Sequence, residues 1–402
     1  MTTAEPMAWP SALSDRRAKR EPFDWYRRMH EAGGIRYDDE RNCWDVFSYD
    51  AVTSVLTDAE TYSSVTAPED NRGGLPSMLS ADPPEHTKLR EPVEEYFQPG
   101  AVRPLAPEIR ETTESLLDEA DAETGGDRLD VVDDLAWPLP IHTIAALLGV
   151  PADDRAQFKA WSDAVVAGPQ LTDGDRLGLE TQRQDAALSL ADYFAEVCAE
   201  RREDPQDDLV SKVLVETDLS DMEVLGLFRL LLIAGNVTTT NLITNTLWCL
   251  DDAGLVEEVR KARHSGGTAE RLDDAIEEAL RYRSPVQRTV RRATRETELL
   301  GRTIEPDDRL SVWLGAANRD PERFDDPDAF DLDRSPNPHV AFGRGIHVCL
   351  GAPLARLEAR VALDALLERY VSIDRVDADP DPVASPFIYG VQEFPVAVER
   401  AP

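Results

Sequence analysis

The chain has 402 residues, 42% of them apolar, which is enough to bury one large core or two ordinary ones. Its 78 acidic against 43 basic residues give a formal charge of −35, which argues against a nucleic-acid partner and imposes self-repulsion at low ionic strength. No uninterrupted apolar run reaches the roughly 20 residues of a membrane span, and Met1 to Arg20 is polar and Pro-containing, unlike a signal sequence. A cytoplasmic protein without a membrane anchor is expected.

Only five of the basic residues are lysine and 38 are arginine. A GC-rich genome favours Arg over Lys but does not explain the acidic excess, so salt adaptation is expected, as in a halophile. The cysteines, Cys43, Cys198, Cys249 and Cys349, lie far apart with no C-x-x-C spacing. Neither a disulfide framework nor a structural zinc site is indicated.

In chain order, a helix is expected around Phe23 to His30, then a hairpin of Ile35 to Tyr37 with Trp44 to Phe47 across a turn at 38–42. From Glu85 to Ala279 apolar residues recur at three- and four-residue steps, broken at Pro99, Gly125-Gly126, Pro151, Gly168-Pro169 and Pro205, which reads as mostly helix. Beyond Ser284-Pro285, short alternating runs (287–293, 298–304, 309–314) lead into a Pro- and Asp-rich meander. A last helix begins near Ala352, with Pro353 in its first turn. The stretches 67–78 and 168–174 are expected to be mobile loops.

Four segments carry chemistry. Phe342-Gly343-Arg344-Gly345-Ile346-His347-Val348-Cys349-Leu350-Gly351 puts a cysteine just ahead of an amphipathic helix, behind alternate glycines that permit positive φ. Backbone N–H groups and the helix N-terminus would then favour a thiolate, and Gly351 has no side chain to block a flat ligand. Leu225 to Leu250 is the most apolar long segment, yet its middle, Ala234 to Asn241, holds Gly, Asn and three threonines; a local bulge or kink is expected there. Glu278 and Arg281 share a helical face, which in isolation reads as a surface pair. His86 and Arg90 stand one turn apart and can reach one anion.

The cysteine segment matches F-G-x-G-x-H-x-C-x-G, the haem-binding signature of cytochromes P450, at every specified position. The chain resembles that family over almost its whole length, in a soluble prokaryotic, haloarchaeal form. The resemblance implies one catalytic domain over residues 1–402 in the cytochrome P450 fold, mainly α with small β-sheets (α+β). Its β-rich parts would lie mainly at 35–60 and 286–315 and its helical parts at 85–284 and 352–371.

The resemblance implies that Cys349 is the iron ligand of haem b, its thiolate pushing electron density onto the iron. His86, Arg90, Arg291 and His347 would hold the propionates, with Arg288 and Arg292 close enough to compete for the role of Arg291. Phe342, Gly343 and Gly351 would shape the proximal pocket. Ala234 and Gly235 would open a groove for O2 over the iron, and Thr238 would hydrogen-bond the activated oxygen. The acid that usually precedes that threonine is Val237 here, so Asn236 or Asn241 with water would have to relay protons. Glu278 and Arg281 match the buried E-x-x-R pair, with Arg334 of the meander as third member.

Substrate contacts are expected from Leu231, Ile233, Val286 and Ile388 and from the 68–79 loop, which favours a hydrophobic small molecule. The 402 residues leave no room for a fused reductase, so a ferredoxin and ferredoxin reductase are the implied donors, docking on a face rimmed by Arg344, Arg356 and Arg360. The implied reaction is monooxygenation with O2. A peroxide-using haem-thiolate enzyme and a non-catalytic haem sensor or carrier are the alternatives.

Overall fold

The computed structural model describes residues 8–66, 75–166, 176–262 and 268–400. The expected mobile loops at 67–78 and 168–174, and with them most of the 68–79 substrate loop, lie largely outside the described residues.

A helix of 33 residues, Asp221–Ala253, forms the axis of the molecule. It starts at a capping box, in which Ser220 and Glu223 satisfy each other's free backbone amides, and stops at Gly254, whose φ of +69° is open to glycine at little cost. Its C-terminal half is buried on all sides, and it packs against helices Pro138–Leu147, Thr268–Tyr282 and Ala352–Arg369. By length and apolarity it could cross a membrane. Here it lies inside the main core, where Leu242, Ile243, Leu247 and Leu250 pack with Leu280, Leu363 and Leu366.

No bulge interrupts the helix at the expected place: Asp221–Ala253 is α-helical throughout. The threonine hydroxyls turn inward instead, Thr238 donating to Ala234 O at 2.8 Å, Thr244 to Thr240 O at 3.0 Å and Thr246 to Leu242 O at 2.7 Å. Back-bonding of this kind satisfies each hydroxyl while the backbone bond beneath it is kept.

Among the described residues, ten strands form three sheets. The largest has the order β1-β2-β8-β5-β3, built from β1 (Ile35–Asp38), β2 (Cys43–Val46), β3 (Tyr62–Ser63), β5 (Thr289–Ala293) and β8 (Arg309–Val312). The β1–β2 hairpin pairs Ile35 with Val46 and turns through Asn42, at φ +51°. β2 then runs parallel to β8, pairing Trp44 with Leu310, and β8 places Leu310 opposite Arg291 on β5. β6 (Thr297–Leu299) and β7 (Arg302–Ile304) form a separate hairpin. Val46, Val52, Leu310 and Val312 close a second core under the large sheet.

The third sheet, β4 (Arg128–Asp130), β10 (Pro395–Arg400) and β9 (Tyr370–Arg375), lies outside the expected β-rich parts. Its partners are far apart in sequence, with Val396 facing both Leu129 and Arg375. β4 has only three residues, too few for an alternating pattern to register.

Candidate functional site

The cysteine loop leaves the meander at Phe342 and enters helix Ala352–Arg369 through Gly351, its N-cap, with Pro353 in the first turn. Gly343 and Gly345 have φ of +70° and +72°. A Cβ on Gly345 would also collide with the Leu56 carbonyl oxygen, so glycine is required there twice over. The turn is closed by the Cys349 N–H donating to Phe342 O at 2.8 Å.

The Cys349 side chain is exposed on one side, whereas the other three cysteines are buried. Protein packed around its sulfur pushes the thiol up, while the N–H groups of Gly351 and Ala352 and the charges of Arg90 and Arg356 pull it down. The expected favourable amides are therefore present, but burial outweighs them.

Helix Glu85–Glu94 brings His86 and Arg90 to this loop. Asp82, just ahead of this helix, does not cap it with its side chain: the carboxylate accepts from Ser63 Oγ and from the Ser64 N–H at 2.9 Å, tying β3 to the helix start. Arg90 donates to Val348 O at 2.8 Å and His86 stacks edge to face on His347, with centroids 4.4 Å apart. Both imidazoles are held below the ordinary histidine range. Burial and then Arg90 lower His86, and burial with Arg291 and His86 lowers His347 to about 4.

Of the three arginines near β5, the structure separates the roles. Arg288 bonds Pro386 O, Ser311 Oγ and Ala8 O, and Arg292 pairs with Asp307 at 2.6 Å. Arg291 is buried, meets only Thr289 Oγ1 and Val290 O of its own strand, and pairs with no carboxylate among the described residues. Burial lowers its guanidinium to about 10.

The test for a haem lies in the orphaned atoms. Nε2 of His86 and Nε2 of His347 are buried without a partner among the described residues, and with Arg291 they can offer donors to two carboxylates, an arrangement that costs free energy unless a partner completes it. The space around the missing Gly351 side chain is open. These residues fit a haem with its propionates toward His86, Arg90, Arg291 and His347.

On helix Asp221–Ala253, Ala234 is exposed and Gly235 and Thr238 are half-buried, whereas Asn236, Thr239 and Thr240 are buried. Val237 is half-buried and offers no proton. Asn236 must be corrected. Residues two positions apart on a helix stand about 200° around it, so Asn236 faces away from Thr238; it is fully buried and its Oδ1 accepts from Thr240 at 3.3 Å. Asn241, on the flank nearer Thr238, donates to Val237 O at 2.6 Å.

Glu278 and Arg281 form a buried pair, not a surface one, with Glu278 only 1% exposed and the two 2.7 Å apart. Arg334 joins at 3.0 Å. Asn337 Nδ2, at 3.1 Å, and the Asp331 N–H, at 3.0 Å, complete the shell. Sequence reasoning missed these two because their approach depends on the path of the meander.

Val286 and Ile388, 102 residues apart, meet as an isolated antiparallel bridge. Ile233 is exposed, whereas Leu231 is buried in the main core. The arginines of the expected docking rim are engaged within the chain. Arg356 clamps Glu277 at 2.5 and 2.9 Å, Arg360 lies 3.8 Å from Asp273, and Arg344 donates to Tyr49 Oη at 2.9 Å. Although burial opposes it, hydrogen bonds from His339 and Arg356 hold Glu277 down at about 2.

The fold and this site define a haem-thiolate enzyme. The family model of cytochrome P450 matches residues 37–389, and the chain belongs to that family. It is 40% identical to cytochrome P450 109 of Bacillus spizizenii, covering 94% of this chain and 92% of that one. It is 38% identical to the erythromycin C-12 hydroxylase of Saccharopolyspora erythraea, over 94% and 95%. Substrate-free CYP109E1 of Bacillus megaterium superimposes with a TM-score of 0.88 at 40% identity, over 94% of this chain and 99% of that one. The protein is a haem-thiolate monooxygenase.

Proposed function

We propose that Cys349 is the thiolate ligand of a haem b and that the enzyme inserts one atom of O2 into an apolar small molecule, reducing the other to water. The observation that carries this is the pairing of the glycine-bent Cys349 loop with the two partnerless imidazoles beside it. When bound, the haem supplies the oxygen activation. The chain's own residues do the rest. His86, Arg90, Arg291 and His347 hold the propionates, and the buried Glu278–Arg281–Arg334 triad fixes the meander that delivers the cysteine loop. Thr238 Oγ1, donating to Ala234 O, is the hydroxyl placed to hold a proton on the distal side.

Ile233, Val286 and Ile388 favour an apolar substrate. Known relatives cover a wide range: CYP109E1 has been crystallised with testosterone, and P450BioI with an acyl carrier protein bearing hexadec-9Z-enoic acid. Electrons are proposed to come from a ferredoxin and its reductase in the cytoplasm, across the face of Arg344, Arg356 and Arg360. Because Glu277 and Asp273 already neutralise two of these arginines, an acidic donor would have to compete with them. The acidic excess is read as adaptation to high salt.

The deciding experiment is the spectrum of the reduced CO complex, taken in high salt. A strongly red-shifted Soret band is expected, and a band typical of histidine ligation would end the assignment. Val237 supports a second reading, direct use of hydrogen peroxide. Turnover with ferredoxin and NAD(P)H, compared with turnover on peroxide, separates the two.

A further inference from the structure

Two turns beyond Thr238, the axial helix carries a polar side chain that the oxygen chemistry does not use. Asn245 lies about 10 Å further along the helix and only about 20° round from Thr238, so the two share one face. It is fully buried. Its Nδ2 donates to Arg283 O at 3.0 Å and to Tyr389 O at 3.2 Å, carbonyls of two segments far apart in the chain. A primary amide has two N–H donors on one nitrogen, and both are used here. A carboxylate of the same size offers none, and a hydroxyl offers one.

Both carbonyls belong to the segments that carry the apolar wall. Arg283 stands three residues before Val286, and Tyr389 directly follows Ile388. The two segments are laced together by the Tyr389 N–H donating to Pro285 O at 2.8 Å, the Gln287 N–H donating to Phe387 O at 2.7 Å, and the Val286–Ile388 bridge. On the helix side, the Tyr389 ring lies parallel to that of Trp248, and a Cβ on Gly390 would overlap Asn241 Oδ1. Behind the turn, the cavity between Tyr26, Gln287, Trp313 and Ile388 measures about 10 Å³, room for one water at most. The wall therefore rests on the Asn241–Asn245 side of the helix in front and has no space to retreat into behind.

We propose that Asn245 is a specificity-determining positioning residue: by holding Arg283 O and Tyr389 O it sets where Val286 and Ile388 stand relative to the Thr238 face, and with that the size and shape of the apolar ligand accepted. This rests on the oxygenase reading above, which supplies the ligand site itself. Removing both donors strands two buried acceptors, which then compete for water. The wall loosens, and its apolar contacts with a ligand are lost. Asn245 acts through the wall and not on the ligand.

The test uses the purified holoenzyme at one fixed high salt concentration, titrated with imidazole and with 4-phenylimidazole and read from the Soret band. Both azoles ligate haem iron; imidazole reports access to the metal, and the added phenyl group reports contact with the wall. In Asn245→Leu, which keeps the volume and removes both donors, 4-phenylimidazole is expected to bind about tenfold more weakly, with imidazole changed less than about twofold. Ile388→Ala should show the same selective loss, and combining it with Asn245→Leu should add less than about twofold, because both substitutions act through one wall. If Asn245→Leu does not load haem, Asn245→Ser, which keeps one donor, is held to the same pattern at a smaller loss. Equal losses for the two azoles, no loss for 4-phenylimidazole, a loss absent from Ile388→Ala, or losses that multiply in the double variant would overturn the proposal. A thiolate-type CO spectrum in the wild type alongside any of those results leaves the oxygenase reading standing without it. If the wild type lacks that spectrum, both fall together.

Discussion

His86 and His347 stand edge to face, 4.4 Å between ring centroids, each with Nε2 buried and unpartnered. They come from a helix near the N-terminus and a loop near the C-terminus, so their meeting joins two distant segments at one anion site. Removing either donor leaves the other and Arg291 to hold a propionate. His86→Ala and His347→Ala are each expected to fold, and to lose haem to an apomyoglobin acceptor about tenfold faster than the wild type. Unchanged haem-loss rates in both would remove them from the propionate site.

Glu278 is the hub of the buried triad, and Glu278→Ala strands both Arg281 and Arg334. Breaking a buried pair in this way costs about 3 to 5 kcal/mol. The expected result is protein with little or no haem, read as the ratio of haem to polypeptide. Normal haem content would show the triad to be dispensable.

Thr238→Ala should bind substrate and accept electrons but release more hydrogen peroxide per NAD(P)H consumed. Val237→Asp restores an acid beside the threonine and is expected to raise the share of electrons that reach product. Product yield and peroxide release, measured together, check both variants. If Val237→Asp leaves coupling unchanged, the proton already has an adequate route.

Glu358 carries the clearest pH signature. It lies buried on helix Ala352–Arg369 with Oε1 unpartnered, and burial pushes its carboxyl up to about 8, opposed only by a hydrogen bond with Thr143. Between the ordinary value of 4.5 and about 8, the folded chain keeps this proton while the unfolded chain releases it. Stability contributed by this group therefore falls as pH rises through that window, by up to about 1.4 kcal/mol per pH unit. Glu358→Gln should flatten the decline of Tm across the window. An equally steep decline in the variant would assign the slope to other groups.

With a net charge of −35, the chain should gain stability as salt screens its self-repulsion. Denaturation midpoints are expected to rise steadily from low to molar KCl. A midpoint independent of salt would refute the halophilic reading.

Much of the site was legible in the sequence because its chemistry is local. The glycines around Cys349, the i,i+4 spacing of His86 and Arg90 and the i,i+3 spacing of Glu278 and Arg281 each sit within one turn or loop, where spacing alone decides which side chains share a face. The β1–β2 hairpin and the start of the last helix at Ala352 were readable for the same reason, since alternation and first-turn proline are short-range signals.

Other features depended on contacts that sequence spacing cannot reveal. Burial turned Glu278–Arg281 from a plausible surface pair into the core of a triad, and only the packed fold decides what a residue is shielded from. The choice of Arg291 over Arg288 and Arg292 rests on packing: Arg288 is committed to Pro386 O, Ser311 Oγ and Ala8 O and Arg292 to Asp307, whereas the hydrogen bonds of Arg291 stay within its own strand. Helical phase turned Asn236 away from Thr238, and the threonine hydroxyls are satisfied by back-bonding with no bulge in the helix. The sheet of β4, β9 and β10 joins residues about 270 apart in the chain, a long-range pairing whose hydrogen bonds form only once the core has brought the strands together. The sequence by itself determined the cysteine loop and the class of chemistry. The tertiary structure decided which side chains were left without partners, because an unmatched donor or cation is defined by everything packed around it.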